Sequence, residues 1–412
     1  MKQIPQKTAL LFFFLLFFNL GYSQYIFKEP TPSSISLHPY TTIADVGQQQ
    51  YNIDFIQKNF QQLQYWKLKT ENDDLGFTDH HFWAKLQLLN ATSNELHYYL
   101  ETARPITDLV EMYVVNDATG KITKSISGDQ LKFSERSFQD RKTIFKIDIA
   151  SNEKLTLYFH IKSDGEVIKM PMMLRTSEEF IGVAAKEEMV FGIFYGILTT
   201  AAILYLFFFF GLKDRTFLYY SLYVVFIGLM QFSIDGYFYQ IVMPDSGWFS
   251  MHAVLLFAMT AGILLGKYSE VFLKIKQHNK LIYTLFNVLY GLAFLVILII
   301  IFVPPLFAIC YPLANVLGLL ILILIITSVI YLYYHGKHID HFFSIGILFL
   351  ILGFGIFILN NFGQVPNSFF TQNSSKFGTG LEIIFLSLSM GNLIRDLKNE
   401  KEQLNQLALI RL

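Results

Sequence analysis

Residues 189–212 read MVFGIFYGILTTAAILYLFFFFGL, an apolar run without one charged side chain, closed by Lys213-Asp214-Arg215. A bilayer core about 30 Å thick is crossed by about 20 residues of helix, so this run is long enough to span it. Six similar runs follow. The seven candidate spans are about 189–212, 216–236, 249–270, 281–302, 308–333, 341–361 and 377–396. Short breaks rich in turn or charged residues separate them: Lys213-Asp214-Arg215, Pro244-Asp245-Ser246-Gly247, Lys274 to Lys280, Pro304-Pro305, His335 to Asp340 and Gln364 to Ser375. Composition agrees. Of 412 residues, 53% are apolar, 16% are charged and 42 are Phe, whereas soluble domains average about 25% charged. Basic and acidic residues number 32 each, and this balance argues against a nucleic-acid partner, which requires a basic surplus.

Upstream of the spans the chain changes character. Residues 1–23 read as a cleavable signal peptide: Lys2 and Lys7 precede an apolar run from Thr8 to Leu20, and Gly21 and Ser23 flank a cut before Gln24. Residues 24–185 are mixed and polar. Asn52 to Leu68 holds Ile53, Ile56, Phe60 and Leu63 at helical spacing. After Gly76 the period becomes two, first in Phe82 to Leu88, then in His97 to Thr102, Leu109 to Val115, Lys121 to Ser127, Lys142 to Ile149, Lys154 to Ile161 and Glu166 to Leu174. Turn residues such as Asn116 to Gly120 and Ser163-Asp164-Gly165 divide them. Short strands at even spacing predict an antiparallel sandwich. The single cysteine, Cys310, forms no internal disulfide, so that sandwich is held by its core alone.

Orientation follows from Lys and Arg. If residue 24 onward is exported, the cytoplasmic connections and tail carry Lys213, Arg215, Lys267, Lys274, Lys276, Lys280, Lys337, Arg395, Lys398, Lys401 and Arg411. The opposite side has only Lys186 and Lys376 near the membrane. In the tail, Leu393, Leu397, Leu404 and Leu407 fall at heptad-like spacing with Glu400 at one seam position, which suggests a helix capable of pairing with a second copy.

Several motifs together resemble a known family. Gly192-Ile193-Phe194-Tyr195-Gly196, Leu212 to Tyr220, Asp235 to Gln240 and Gly380 to Ser389 are similar to spans of the bacterial seven-transmembrane receptors with diverse intracellular signalling modules. Leu75-Gly76-Phe77, Phe82 to Leu86, Gly128 to Arg136 and Leu157-Tyr158-Phe159 resemble that family's second type of extracellular sensor domain. The resemblance implies a jelly-roll-like sandwich related to carbohydrate-binding modules. Family members usually continue into a kinase, cyclase or DNA-binding output, and here only the start of the connecting helix precedes Leu412. The expected architecture is thus a signal peptide at 1–23, an extracellular all-β jelly-roll-like sandwich at 24–185, a seven-helix transmembrane domain at 186–396 and a short coiled-coil-like cytoplasmic helix at 397–412, with output missing or supplied by another chain.

Enzyme motifs are missing: the sequence has no H-E-x-x-H, Walker loop or G-x-S-x-G, and no cofactor is expected. His335, His338, Asp340 and His341 are read as interfacial anchors rather than metal ligands. Sugars are bound by aromatic faces and anions by arginine forks. Trp66, Trp83, Tyr98, Tyr99, Arg104, Arg136 and Arg141 are therefore candidates for a ligand face, with Trp83, Arg104, Arg136 and Arg141 foremost. Trp83 suits the sandwich core better than a ligand face, and the arginines suit loops held through backbone carbonyls, Arg136 as well as it suits a ligand. Among ionisable residues in the spans, Asp235 and His252 lie near the outer ends, Glu270 near an inner end, and Glu382 deepest. Glu382 is the candidate for switching or bundle packing. Gly192-x-x-x-Gly196 and Gly262-x-x-x-Gly266 permit close helix approach. The expected function is a sensory receptor of the cell membrane that takes a small-molecule or carbohydrate-like ligand and signals through a homodimer or a separate cytoplasmic protein. An adaptor without its own output, or a transporter or channel, are the alternatives.

Overall fold

The computed structural model describes residues 24–68, 74–337 and 339–410. The expected signal peptide, His338, Arg411 and Leu412 lie outside the described residues, as do the side chains of Asn361 and Leu407.

Strands of the first part are β1 (Gln24–Phe27), β2 (Ser34–Ser36), β3 (Thr42–Asp45), β4 (Tyr65–Lys67), β5 (Asp74–Phe77), β6 (His81–Asn90), β7 (Leu96–Ala103), β8 (Leu109–Asn116), β9 (Ile122–Ser127), β10 (Thr143–Ile149), β11 (Lys154–Lys162), β12 (Val167–Lys169) and β13 (Met173–Arg175). The larger sheet runs β4-β3-β6-β11-β8-β9, with β1 added parallel to β6, and the smaller runs β10-β7-β13-β2. Period two decides what each face buries. Phe82, Ala84, Leu86 and Leu88 of β6 and Leu157, Phe159 and Ile161 of β11 meet Leu100, Phe145, Ile147 and Ile149 of the smaller sheet in one core. Trp83 and Tyr158 point to the other face of the large sheet. There a helix α1 (Ile53–Asn59), capped by the Asn52 side chain, brings Ile56 and the adjoining Phe60 over them.

The sandwich expected after Gly76 is therefore present, but β1 to β5 were not predicted. They have three or four residues each, too few to display a period, and Pro30, Pro32 and Pro39 interrupt them. The strand expected over Glu166 to Leu174 is split into β12 and β13 around Met170-Pro171-Met172. Proline has no N–H for a ladder, and Met172 adopts a positive φ of 44°.

Among the described residues, seven helices are long and apolar enough to cross a membrane. They are α2 (Ser177–Leu212), α3 (Arg215–Ile234), α4 (Gly247–Phe272), α5 (Lys280–Phe302), α6 (Phe307–Tyr334), α7 (His341–Asn361) and α8 (Ser374–Ile410). The polar breaks seen in the sequence serve as caps: Asp214 accepts from Thr216 N, Asn279 from Leu281 N and Ile282 N, and Asp340 from Phe343 N. Helix α2 starts at Ser177, directly after β13, so the expected boundary at 185 falls inside a helix. Six additional polar or charged residues, from Ser177 to Glu188, thus ride on the first span.

Close approach occurs where it was not expected. An added Cβ on Gly353 of α7 would lie 2.6 Å from Gly378 Cα of α8, and one on Gly378 would lie 2.7 Å from Gly353 Cα. At Gly192 and Gly196 nothing lies within 4 Å, so the first of the two glycine pairs faces away from the protein. Of the second pair, an added Cβ on Gly266 would lie 2.6 Å from the Tyr290 ring.

Candidate functional site

The sandwich sits on the ends of the helices through loops that carry two buried arginines. Arg136, 3% exposed, donates from Nε to the Gly128 carbonyl (3.1 Å) and from Nη1 to the Asp140 carbonyl (2.6 Å). Its guanidinium lies 4.6 Å from the ring centroid of Tyr239, which follows α3, and the Tyr239 hydroxyl donates to the Leu131 carbonyl (2.7 Å). Burial lowers the Arg136 pKa from its ordinary value, and it raises that of the Tyr239 hydroxyl, which is pushed up to about 12. With its donors on loop carbonyls, Arg136 fastens the 128–142 segment and does not present a fork to a ligand.

Arg141 reaches into the helical part itself. Its Nη2 donates to Glu187 of α2 (2.7 Å), its Nε to Glu188 (3.3 Å) and its Nη1 to the carbonyl of Asp235 at the end of α3 (3.2 Å). Tyr237 and Phe191 offer ring faces at 4.9 and 5.4 Å. Burial alone lowers the Arg141 pKa, but the Glu187 carboxylate and its neighbours more than reverse this, and the guanidinium is held charged. Lys142 adds a second bond to Glu187 (2.8 Å). A cleft of about 80 Å³, lined by residues including Glu101, Arg141, Lys142, Arg175, Glu187 and Gln240, opens here.

From Asp235 the polar contacts continue along α8. The Asp235 carboxylate accepts from Lys376 Nζ (2.7 Å) and from the Tyr195 hydroxyl of α2 (2.5 Å). Asp235 and Lys376 are both nearly inaccessible, with side chains 6% and 7% exposed. One turn on, Gln231 of α3 donates to Ser375 Oγ (3.3 Å). Thr379, Glu382 and Ser389, all buried, repeat on the same face of α8 at spacings of three and seven residues. Glu382 is 0% exposed. The Tyr223 hydroxyl of α3 donates to its Oε2 (3.0 Å), the Tyr220 hydroxyl donates to the Ile383 carbonyl (3.1 Å), and Tyr268 of α4 stacks near Tyr220. Glu382 Oε1, Tyr268 OH, Ser389 Oγ and Thr379 Oγ1 are buried with no hydrogen-bond partner among the described residues. At the far end Asn392 donates to Asp340 (2.7 Å), the residue that caps α7. A polar spine thus runs from a loop of the sandwich, through α3, along α8.

The other candidates lie elsewhere. Trp83 is 1% exposed, stacked against Tyr113 and His160, so it is a core residue and offers no free ring to a ligand. Tyr98 is buried and donates to the Pro32 carbonyl (2.7 Å), and Tyr99 stacks on Phe180 of α2. Trp66, on the edge strand β4, keeps an accessible ring. Arg104 is half-buried, on the loop before β8, and its charge acts on Glu166. Of the foremost four, the three arginines therefore lie in the docking loops, Arg104 and Arg136 flanking the same buried carboxyls, and Trp83 stands apart. Lys376 and Tyr195 were missed as site residues. Lys376 stood out only as one of two basic residues on the sandwich side, and that rarity was the signal.

Comparison with known families now has a geometry to meet. Residues 187–392 match the family model described as 7TM diverse intracellular signalling, and residues 39–176 match the one described as 7TMR-DISM extracellular 2. Among curated proteins, none matches the chain.

Proposed function

Because this chain belongs to the 7TM diverse intracellular signalling family, multi-pass receptor-like signalling proteins with an extracellular sensor domain, we propose that its sandwich binds an envelope ligand and that the polar spine passes the resulting change to α8. The single observation that carries this reading is the buried ionic contact Arg141–Glu187 and Asp235–Lys376, which joins a sandwich loop to the start of the last helix. A ligand moves such a connection only if it binds one arrangement of the sandwich better than the other. In this reading the protein sits in the cell membrane and the far end of α8 lies in the cytoplasm, which the Lys and Arg bias supports. There it meets a second copy of the chain or a separate signalling protein.

The ligand class proposed is a small carbohydrate-like molecule, supported by the sandwich architecture and by the accessible Trp66 ring. Glu382 is the proposed switching residue: a buried carboxyl without a basic partner is costly in a bilayer, and rearrangement of α8 changes its surroundings directly. The experiment is a thermal-shift screen of the full chain in lipid nanodiscs against sugars and cell-wall fragments, followed by spin-label distances at the far end of α8 with each hit. A hit that moves α8 supports the reading. Ligands that stabilise the sandwich and leave α8 in place would refute it.

A further inference from the structure

The loops that seat the sandwich on the helices also bury acid. Asp108, Asp129 and Glu166 are 3%, 3% and 4% exposed. They come from the loop before β8, the loop after β9 and the turn before β12. This is the docking surface: Gly165 lies so close to Ala308 of α6 that an added Cβ would be 2.6 Å from its Cα, and Gly128 lies as tightly on the Asp108 carbonyl. Phe133 N donates to the Pro244 carbonyl (2.8 Å) in the connection between α3 and α4.

Within this surface Asp129 N donates to the Thr107 carbonyl and Gln130 N to the Asp108 carbonyl (3.1 Å each), which lays the two acids side by side. Buried carboxyls this near one another cannot all be ionised at low cost, so the cluster favours taking up a proton. Donors are few. Asp164 N donates to Asp108 Oδ2 (2.6 Å) and Ser163 Oγ to Glu166 Oε1 (3.1 Å). Asp129 Oδ1, Thr107 Oγ1 and Ser127 Oγ are buried with no partner among the described residues, and the Thr107 carbonyl itself accepts from Asp129 N. A fourth unpartnered atom, Arg136 Nη2, is buried beside Asp129. The charged and titratable groups facing the cluster are Arg104, Arg136, Lys162 and Asp164 from the sandwich, and Tyr239, His252 and Tyr311 from the helical side.

We propose that the Asp108–Asp129–Glu166 cluster is a proton-binding site, through which the pH outside the membrane sets how firmly the sandwich docks on the helices. This rests on the receptor reading and names the proton as one of its stimuli. The direction follows from linkage. Burial raises Asp129 to about 7 from an ordinary 3.8, and it raises Asp108 and Glu166 well above the carboxylate range. Groups raised in the docked state favour docking fully below their ordinary values, and that contribution is lost as pH rises through the raised ones. Docking is therefore tight in acid and loosens near neutrality.

The test uses the full chain in nanodiscs with Cys310→Ser and spin labels at Thr123→Cys on β9 and Asp245→Cys between α3 and α4. The docked distance dominates at about pH 5, and the undocked fraction grows by up to about tenfold per pH unit for each proton released as pH approaches 8. The variant Asp108→Asn/Asp129→Asn/Glu166→Gln keeps one distance throughout. Should that variant fail to fold, Glu166→Gln alone is expected to shrink the response. A wild-type distribution identical at both pH values, or a full response in either variant, overturns the proposal. Because Arg141 is intact and α8 is not probed, a pH-blind junction would contradict proton sensing without touching the transmission route.

Discussion

Replacing Lys376 with Met isolates the contact on which transmission to α8 depends. The wild-type ammonium lies 2.7 Å from Asp235 Oδ1, 3.0 Å from Asn373 Oδ1 and 4.8 Å from the centroid of the Phe191 ring. Methionine fills similar space without the charge, so Asp235 is left with Tyr195 as its carboxylate donor. Breaking a buried pair from one side costs about 3–5 kcal/mol, because an uncompensated charge remains. Replacing both, as Asp235→Asn/Lys376→Met, keeps an acceptor for Tyr195 and removes both charges, so the loss falls to about 1–2 kcal/mol. Asp235→Asn alone strands the Lys376 ammonium at a similar cost, so the double-mutant cycle gives a coupling of about 4 kcal/mol or more. Reversible unfolding in mixed micelles supplies the four free energies. If Lys376→Met costs less than about 1 kcal/mol, as exposed pairs do, or if the two losses add, the contact is not the closed ionic joint inferred here.

Three further outcomes follow from particular contacts. Tyr223→Phe removes a donor to the otherwise unpartnered Glu382 and is expected to lower stability by about 1–3 kcal/mol, with Glu382→Gln in the same background recovering part of it; the same unfolding assay checks this. Gly378→Val thrusts a side chain at Gly353 and is expected to destabilise the α7–α8 pair by about 3 kcal/mol or more, whereas Gly192→Val, facing open space, leaves the melting temperature unchanged. Trp83→Ala is expected to cost about 3–5 kcal/mol by opening a cavity under α1, while any ligand found in the screen binds the folded variant with unchanged affinity.

The spans were legible because a bilayer fixes their length, and the polar breaks read as turns serve as helix caps. Strands β6 to β11 were legible because seven to ten residues of alternation, or six in β9, outlast the noise of a single turn. Strands β1 to β5 were not, since three or four residues take their extended form from neighbours in the sheet. At the site, Glu382 was recognisable as an acid in an apolar run. The pairing of Asp235 with Lys376 was not, because it joins residues 141 positions apart across a fold whose helix order the sequence does not display. Arg136 and Arg141 were found for their charge, yet their chemistry differs. One holds carbonyls and the other carboxylates, and only the packed loops decide which. Glycine spacing misled at Gly192 and Gly196, though not at Gly266, for the same reason: a small residue permits approach, but the neighbouring helix determines where it happens.

The central claim is that Arg141 connects the sandwich to α8, and its most direct test is one distance. Spin labels at Lys280→Cys and Lys398→Cys, in the Cys310→Ser full chain in nanodiscs, report the far end of α8 against the start of α5. Arg141→Met is expected to shift or broaden that distance distribution, with Arg141→Lys intermediate, because a point charge replaces the fork that spans α2 and α3. A distribution unchanged by Arg141→Met, in a protein whose sandwich remains folded, would contradict the account.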